Sequence, residues 1–398
     1  MKKKVSKEKL PIFLLLVALF LATASLLQMR YYYLTFLPPG VSDLVGFYIT
    51  RFADGISHWP YETYTLLTNG NSVGPIEYPF LSGLIVWLTT FITPKGSEAR
   101  INYFFINSVF LIVLFLVTVF LVSKLTDRKF ARLLIISPAV LMSLYLNWDL
   151  WAVVPMLFSI YFFEKESLRI SGIFLGVAIA TKFFPIVLLF PAGIYLWRKS
   201  KRKRIIEFLS FTVLTWLLIN LPVAILNTKG WLYFYEFSAS RILGDGSFFN
   251  IFIKFKLISE LPMWSYYVLN ILIFLGLGMF LFKVKEPVSL GFSAFLGVLA
   301  FTYFGKQYSM QYVLWLTPLA IVSLSKLPRK RQNLAIRFYL LWQLGEFLLH
   351  VAYFKNMQKG MLDSTYAIFA SFRYLATAIF AYVLIKQFVT PLTQSKRQ

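Results

Sequence analysis

The chain of 398 residues is 58% hydrophobic and 19% aromatic but only 14% charged. Soluble domains are about 45 to 50% apolar, so this composition excludes a water-soluble globular protein. The net charge of +23 resides in short basic clusters between apolar runs, which is typical of membrane-protein loops rather than of a nucleic-acid interface. The absence of cysteine excludes disulfides, thiolate nucleophiles and cysteine-ligated metals.

Apolar runs of roughly 15 to 23 residues recur along the whole chain, close to the 20 or so residues that cross a bilayer as a helix. We therefore predict an all-α, polytopic membrane protein that forms a single domain over 1–398. The twelve predicted spans are about 11–29, 101–123, 132–146, 149–163, 168–181, 183–197, 205–225, 264–283, 287–304, 310–325, 337–354 and 366–388. Pro138, Pro155 and Pro185 lie in short segments, so we expect some of these helices to end inside the protein around a cavity.

The apolar segment 79–93 decides the predicted topology. If it crosses the membrane, the basic cluster 198–204 falls outside, against the positive-inside rule. If it lies at the interface, as its short length favours, 27 of the 40 Lys and Arg residues fall on the cytoplasmic side. We therefore predict interfacial helices in a first outside loop, 30–100, and a second large outside loop, 226–263. Both termini are then cytoplasmic, and the absence of an Asn-x-Ser/Thr sequon favours a prokaryotic plasma membrane.

Two acidic residues of the first outside loop are candidates for catalysis or binding. Asp43 follows Ser42 shortly after the first span, and a partly desolvated carboxylate at a membrane surface can act as a general base. Alternatively, Ser42 and Asp43 form an ordinary helix N-cap, a position that both residue types favour. Glu77 precedes Tyr78 at the start of the interfacial segment, where it could bind sugar hydroxyls or assist the base, or simply interact with the helix dipole.

Two predicted outside turns are unusually polar. Asn147 and Asp149 flank Trp148, a combination typical of sugar-binding sites, although Asp149 could also be a helix cap. Lys182 stands between two apolar segments, where its ammonium could bind a phosphate or extend to the membrane surface.

Further candidates lie closer to the C-terminus. Lys306, Gln311 and Tyr312 lie in the turn at the start of the tenth span and, like Lys182, could bind a phosphate or extend to the membrane surface. The loop 226–263 supplies Arg241, with Asp245, Lys254 and Lys256 nearby, as a lipid-phosphate site or an interfacial anchor.

Glu346 and His350 are four residues apart and therefore share one face of the eleventh span. His350 is closer to the outside and could reach a ligand, whereas Glu346 is expected to pair with Arg373. No Walker loop, dinucleotide fingerprint, metal-spaced histidine cluster or Ser-His-Asp set appears, so we predict no nucleotide cofactor and assign no metal ligand. A requirement for a divalent metal stays open.

The order and spacing of these segments resemble the GT-C class of membrane glycosyltransferases. They are most similar to the polyprenol-phosphate-mannose-dependent mannosyltransferases of glycosyltransferase family 87. The resemblance covers about 43–325 and is carried by Asp43, 77–83, 147–149, 181–185 and 309–315.

This resemblance implies an inverting transfer of a sugar, expected to be mannose, from a polyprenyl phosphate to a lipid- or glycan-linked acceptor at the extracytoplasmic face. It implies that Asp43 is the base and that Lys182, Arg241 or Lys306 stabilises the leaving phosphate. Some relatives have two acidic residues at the catalytic position, whereas here Ser42 precedes Asp43 alone. Glu77 and Asp149 therefore stay open as alternative bases.

Two other functions share parts of this pattern. A transporter or flippase of lipid-linked sugars would be expected to show inverted repeats and a site at the membrane midplane, and the sequence shows no such repeat. A surface-polysaccharide polymerase or ligase would be expected to have a long outside loop rich in Arg and His. The loop 226–263 has one Arg and no His, so the transferase is the favoured interpretation.

Overall fold

The computed structural model of the chain describes residues 12–37, 41–52, 54–68, 70, 72–285 and 287–389. Most of these residues are helical, which confirms the predicted all-α class. The first nine helices are α1 (Ile12–Tyr31), α2 (Asp43–Arg51), α3 (Phe80–Phe91), α4 (Ala99–Leu125), α5 (Arg128–Ile135), α6 (Pro138–Ser143), α7 (Leu150–Glu164), α8 (Leu168–Thr181) and α9 (Leu189–Arg198). The others are α10 (Arg202–Leu226), α11 (Thr228–Ser240), α12 (Phe248–Lys254), α13 (Met263–Lys283), α14 (Leu290–Tyr303), α15 (Val313–Lys326), α16 (Arg329–Lys359) and α17 (Asp363–Val389).

In the described residues, a π-helical turn, Tyr32–Phe36, follows α1. Two 3-10 turns, Phe184–Leu188 and Met310–Tyr312, precede α9 and α15. In the first large loop, β1 (Thr65–Leu66) pairs with β2 (Ser72–Val73) in an antiparallel hairpin.

Six helices of the described chain are long and apolar enough to cross a membrane: α1, α4, α10, α13, α16 and α17. The predicted count of twelve spans is not confirmed. A helix of 14 residues is about 21 Å long, whereas the hydrocarbon core is about 30 Å thick. The segment that we predict to lie at the interface forms α3, whose 12 residues are likewise too few to cross the hydrocarbon core.

The short apolar helices are largely surrounded by protein. All but a few of the residues of α14 and α15 are buried, so their ends need not reach the membrane surface. The predicted span 132–146 is divided into α5 and α6. A proline disfavours helical backbone in the preceding residue, and Ser137 before Pro138 is accordingly extended, with ψ of 107°.

The helices connect two groups of loops at opposite ends of the molecule. The turns after α4, α7, α9 and α15 lie at one end, which we call the basic pole. Contacts there include Lys326 Nζ to Glu164 Oε2 at 3.0 Å and Lys201 Nζ to Glu166 Oε1 at 2.6 Å. The turns before α2, α3, α7 and α15 lie at the other end, which we call the site pole. The helices α7, α8, α14 and α15 each have one end at each pole.

Candidate active site

A polar cavity of about 350 Å³ lies at the site pole. Its walls come from the start of α2, the turns before α3 and α7, the turn after α8, and the segments before α12 and α15. Eight of the eleven predicted site residues line it: Asp43, Glu77, Tyr78, Asn147, Lys182, Arg241, Gln311 and Tyr312. Motifs that are far apart in the sequence therefore converge on one space.

Asp43 is held in place by main-chain contacts with the turn before α7. Its amide donates to Leu146 O over 2.8 Å, and the Ser42 hydroxyl donates to Tyr145 O over 2.8 Å. Ser42 occupies the cap position of α2, but its side chain makes no capping hydrogen bond. The Ser42 side chain therefore fixes α2 to the neighbouring turn, and Asp43 begins the helix facing the cavity.

One oxygen of Asp43 belongs to a closed set of three hydrogen-bonding groups. The Tyr78 hydroxyl and Asn147 Nδ2 each donate to Asp43 Oδ2 over 2.5 Å, and Asn147 Nδ2 also lies 2.6 Å from the Tyr78 hydroxyl. No described residue donates a hydrogen bond to Asp43 Oδ1. The carboxyl is thus oriented through one oxygen while the other stays available to a ligand.

Burial raises the pKa of Asp43 to about 6, although the Tyr78 hydrogen bond and the Lys182 charge act in the opposite direction. Burial and the adjacent Asp43 raise the pKa of Tyr78 well above its ordinary value, so its phenol keeps the proton that it donates. A carboxylate with a pKa near neutrality is ionised at neutral pH and still accepts a proton readily, as a general base requires.

Lys182, which lines the cavity, forms an ion pair with Asp149, which is buried behind it. Lys182 Nζ lies 2.7 Å from Asp149 Oδ1 and 4.6 Å from the centre of the Tyr78 ring. The Asp149 side chain is fully buried, and it makes no capping hydrogen bond to α7. The Lys182 ammonium therefore compensates a buried carboxylate rather than extending to the membrane surface.

Glu77 lies at the rim of the cavity and faces Arg51, with Oε2 at 3.6 Å from Arg51 Nη2. Arg51 also donates to Gly74 O over 2.6 Å and to Pro75 O over 2.9 Å. The guanidinium thus orders the segment that leads to Tyr78 and partly neutralises Glu77.

A second wall is formed by the segments 241–247 and 305–312, which we call the paired segments. Gly244 N donates to Lys306 O over 2.9 Å, and Gln307 Nε2 donates to Ile242 O over 3.0 Å. Arg241 is exposed on this wall and has no ion-pair partner among the described residues.

Asp149, Lys306 and His350 are the predicted site residues that do not line the cavity. Lys306 Nζ donates to Ala239 O over 2.8 Å and lies 5.2 Å from the centre of the Tyr267 ring. His350 is buried within the helix packing, where Nε2 is 2.6 Å from the Ser143 hydroxyl and Nδ1 is 2.7 Å from Glu346 O. Its helix face packs against α6 rather than against the cavity.

Several lining residues were not predicted as site residues, including Tyr308, Tyr353 and Tyr366. Tyr353 belongs to α16 and Tyr366 to α17, and an isolated tyrosine in an apolar helix is not part of a recognisable motif. In the part of the chain that the structure describes, no group of three or more His, Asp or Glu side chains could hold a metal ion.

A family model described as glycosyltransferase family 87 matches residues 77–305, more than half of the chain. The matched region includes Tyr78, Asn147, Lys182 and Arg241 of the cavity but neither Asp43 nor the helices after residue 305. A search of curated proteins finds no match.

Proposed function

This chain belongs to glycosyltransferase family 87, and we propose that it moves a sugar from a polyprenyl-phosphate donor to an acceptor hydroxyl at the extracytoplasmic face. The acceptor is a lipid- or glycan-linked sugar, and mannose is the donor sugar to test first. The observation that carries this proposal is the Asp43 carboxylate, oriented through Oδ2 by Tyr78 and Asn147 on the wall of a polar cavity.

In the proposed reaction, the acceptor oxygen attacks the anomeric carbon from the face opposite the phosphate, and the configuration inverts. Asp43 Oδ1 accepts the hydroxyl proton as the new carbon–oxygen bond forms. The bond from the anomeric carbon to the phosphate oxygen breaks, and polyprenyl phosphate leaves with the electron pair. Tyr78 and Asn147 keep the carboxylate aimed at the hydroxyl throughout.

Arg241 is the cation best placed to stabilise the leaving phosphate. Cations assist most where negative charge develops, and Arg241 reaches the cavity without an ion-pair partner among the described residues. Lys182 also lines the cavity, but its charge is already paired with Asp149. We therefore assign the phosphate to Arg241 and the compensation of buried charge to Lys182.

A second cavity supports a lipid-linked donor. An apolar groove of about 680 Å³ follows α13 from Tyr267, near the site pole, to Lys283, at the basic pole. Tyr267 lies beneath Lys306 Nζ, and Lys306 donates to Ala239 O, two residues before Arg241. A polyprenyl chain in this groove would end next to the cation that we assign to its phosphate.

The charge distribution supports an extracytoplasmic site. The basic pole holds the clusters that the positive-inside rule assigns to the cytoplasm, and the cavity lies at the opposite end.

The test is sugar transfer by the purified protein in lipid nanodiscs. The protein would be incubated with membrane extract and radiolabelled polyprenyl-phosphate sugars, and with nucleotide sugars as the comparison donors. We expect label to move from the lipid donor with inversion, and not in Asp43→Asn. Transfer from a nucleotide sugar without a lipid donor, or undiminished transfer by Asp43→Asn, would contradict the proposal.

A further inference from the structure

Arg373 is a fully buried arginine in the middle of α17, outside both the cavity lining and the region that matches the family. Its Nη1 donates to Tyr308 O over 3.0 Å, and its Nη2 donates to Gly246 O over 2.6 Å. These carbonyls belong to the two paired segments. The Arg373 side chain, which lies behind the wall, therefore connects both paired segments to α17.

The surrounding groups leave this connection little freedom. The Tyr374 hydroxyl also donates to Gly246 O over 2.9 Å, and the Arg373 guanidinium carbon lies 3.9 Å from the centre of the Tyr308 ring. A Cβ atom added at Gly246 would lie 2.4 Å from Tyr308 O. The paired segments thus touch main chain to main chain, directly in front of the guanidinium.

Glu346 supplies the counter-charge without competing for the donors of Arg373. Its Oε1 accepts from the Tyr308 hydroxyl over 2.8 Å and from Trp342 Nε1 over 3.0 Å, whereas its Oε2 lies 4.0 Å from Arg373 Nη1. A buried charge is costly unless it is compensated. Glu346 compensates Arg373 and holds Tyr308 through its hydroxyl, which leaves both terminal nitrogens of the guanidinium for the main chain.

We propose that Arg373, with Glu346 as its counter-ion, is a positioning residue that fixes the paired segments and so places Arg241 for the donor phosphate. This proposal rests on the proposed function. Arg241 and Asp245 belong to the segment that Arg373 holds through Gly246, whereas Asp43 is fixed to the turn before α7. Loosening the paired segments should weaken donor binding and leave the base in place.

The variant that tests this is Arg373→Lys, which keeps the charge but replaces a planar fork by a single ammonium that cannot serve two separate carbonyls equally. The matched control is Arg198→Lys at the basic pole, because Arg198 also uses both terminal nitrogens to donate to main-chain carbonyls, Leu281 O over 2.8 Å, Val284 O over 2.5 Å and Lys285 O over 3.3 Å. We expect Arg373→Lys to raise the donor KM by about tenfold or more, since small misplacements of binding groups have effects of that order. Its acceptor KM, its kcat at saturating donor and all constants of Arg198→Lys should stay close to wild type.

A second measurement reports the position of the wall without relying on activity. The chain has no native cysteine, so a spin label can be attached at Ile242→Cys on a paired segment and, separately, at Tyr64→Cys in the first large loop. We expect Arg373→Lys to increase the mobility of the label at 242 and to leave the label at 64 unchanged. Should Arg373→Lys fail to fold, Gly246→Ala disturbs the same contact without affecting a buried charge and should give both results.

The outcomes separate the two proposals. A folded Arg373→Lys protein with unchanged donor KM and an equally immobile label at 242 would overturn the positioning role, as would a loss of kcat at constant donor KM. If the wild-type protein transfers no sugar from any polyprenyl phosphate, the proposed function fails, and the two spin labels still decide whether Arg373 fixes the paired segments.

Discussion

Lys182 Nζ lies 2.7 Å from Asp149 Oδ1, and this contact ties the turn after α8 to the start of α7 beneath the cavity. Asp149 is fully buried, and its Oδ2 has no hydrogen-bond partner among the described residues. Lys182 is therefore not a free phosphate ligand. Its ammonium compensates the negative charge of the buried Asp149 carboxylate.

Removing this compensation should destabilise the protein. We expect Lys182→Met to lower the free energy of unfolding by about 3 to 5 kcal/mol, because it leaves a buried charge unpaired. The double variant Lys182→Met with Asp149→Asn should recover most of that loss, as thermal denaturation in lipid would show. If Lys182→Met is as stable as wild type and only its donor KM rises, Lys182 is a phosphate ligand after all.

The pH dependence of turnover should follow the Asp43 carboxyl. Its pKa is raised to about 6, and only the ionised form accepts a proton, so kcat/KM should fall as the pH decreases below about 6 and level off above it. At pH values above about 6, Asp43→Asn should lower turnover by on the order of 100-fold or more, and the difference from wild type should shrink as the pH falls below the pKa of the carboxyl. Retained turnover in Asp43→Asn, with loss in Glu77→Gln or Asp149→Asn, would move the base to that residue.

The same carboxyl should reduce the stability of the folded protein at neutral pH. Because folding raises the pKa of Asp43, its carboxyl stabilises the protein at pH values below its unfolded pKa, and this contribution is lost as the pH rises through about 6. Asp43→Asn should therefore be more stable than wild type at pH 7.5, by at most about 3 kcal/mol, and equally stable near pH 3. Thermal denaturation at both pH values measures this, with the exposed Asp127→Asn as control. A less stable Asp43→Asn protein at pH 7.5 would contradict the expectation.

The convergence of Asp43, Tyr78 and Asn147 could be anticipated from the sequence because all three lie in turns that the charge pattern assigns to one face of the membrane. The number of membrane spans could not be predicted from the sequence. A short helix buried in protein, such as α14, is apolar on all sides and has the same hydropathy as part of a spanning helix. Whether such a helix is long enough to cross the bilayer can be judged only when its first and last residues are known.

The role of Arg373 was also beyond sequence analysis. A pairing of Glu346 with Arg373 could be predicted because two opposite charges lie in adjacent apolar segments. The hydrogen bonds of Arg373, however, go to the main-chain carbonyls of Gly246 and Tyr308, far away in the chain. A carbonyl acceptor is the same at every residue, so no residue type marks it.

The predicted orientation can be tested by labelling, again because the chain has no native cysteine. Cysteines at Ser72 and Ile242 should react with an impermeant thiol reagent in intact cells, whereas a cysteine at Ser200 should react only after the membrane is opened. All three positions are exposed in the structure, so access depends on the side of the membrane. Labelling of Ser200→Cys from outside would reverse the orientation and place the cavity in the cytoplasm.

The apolar groove along α13 should distinguish donors by the length of their lipid. Ile271 lines the groove, whereas its neighbour Leu272 does not, and the two side chains are similarly exposed, at 59% and 58%. Ile271→Trp should obstruct the groove and raise the KM of a long-chain polyprenyl donor by about tenfold, the equivalent of roughly two buried methylene groups. It should raise the KM of a two-isoprene donor less, because so short a chain makes fewer contacts along α13. Leu272→Trp is the control and should change neither constant. Equal effects of the two variants, or equal effects on the two donors, would show that the polyprenyl chain lies elsewhere.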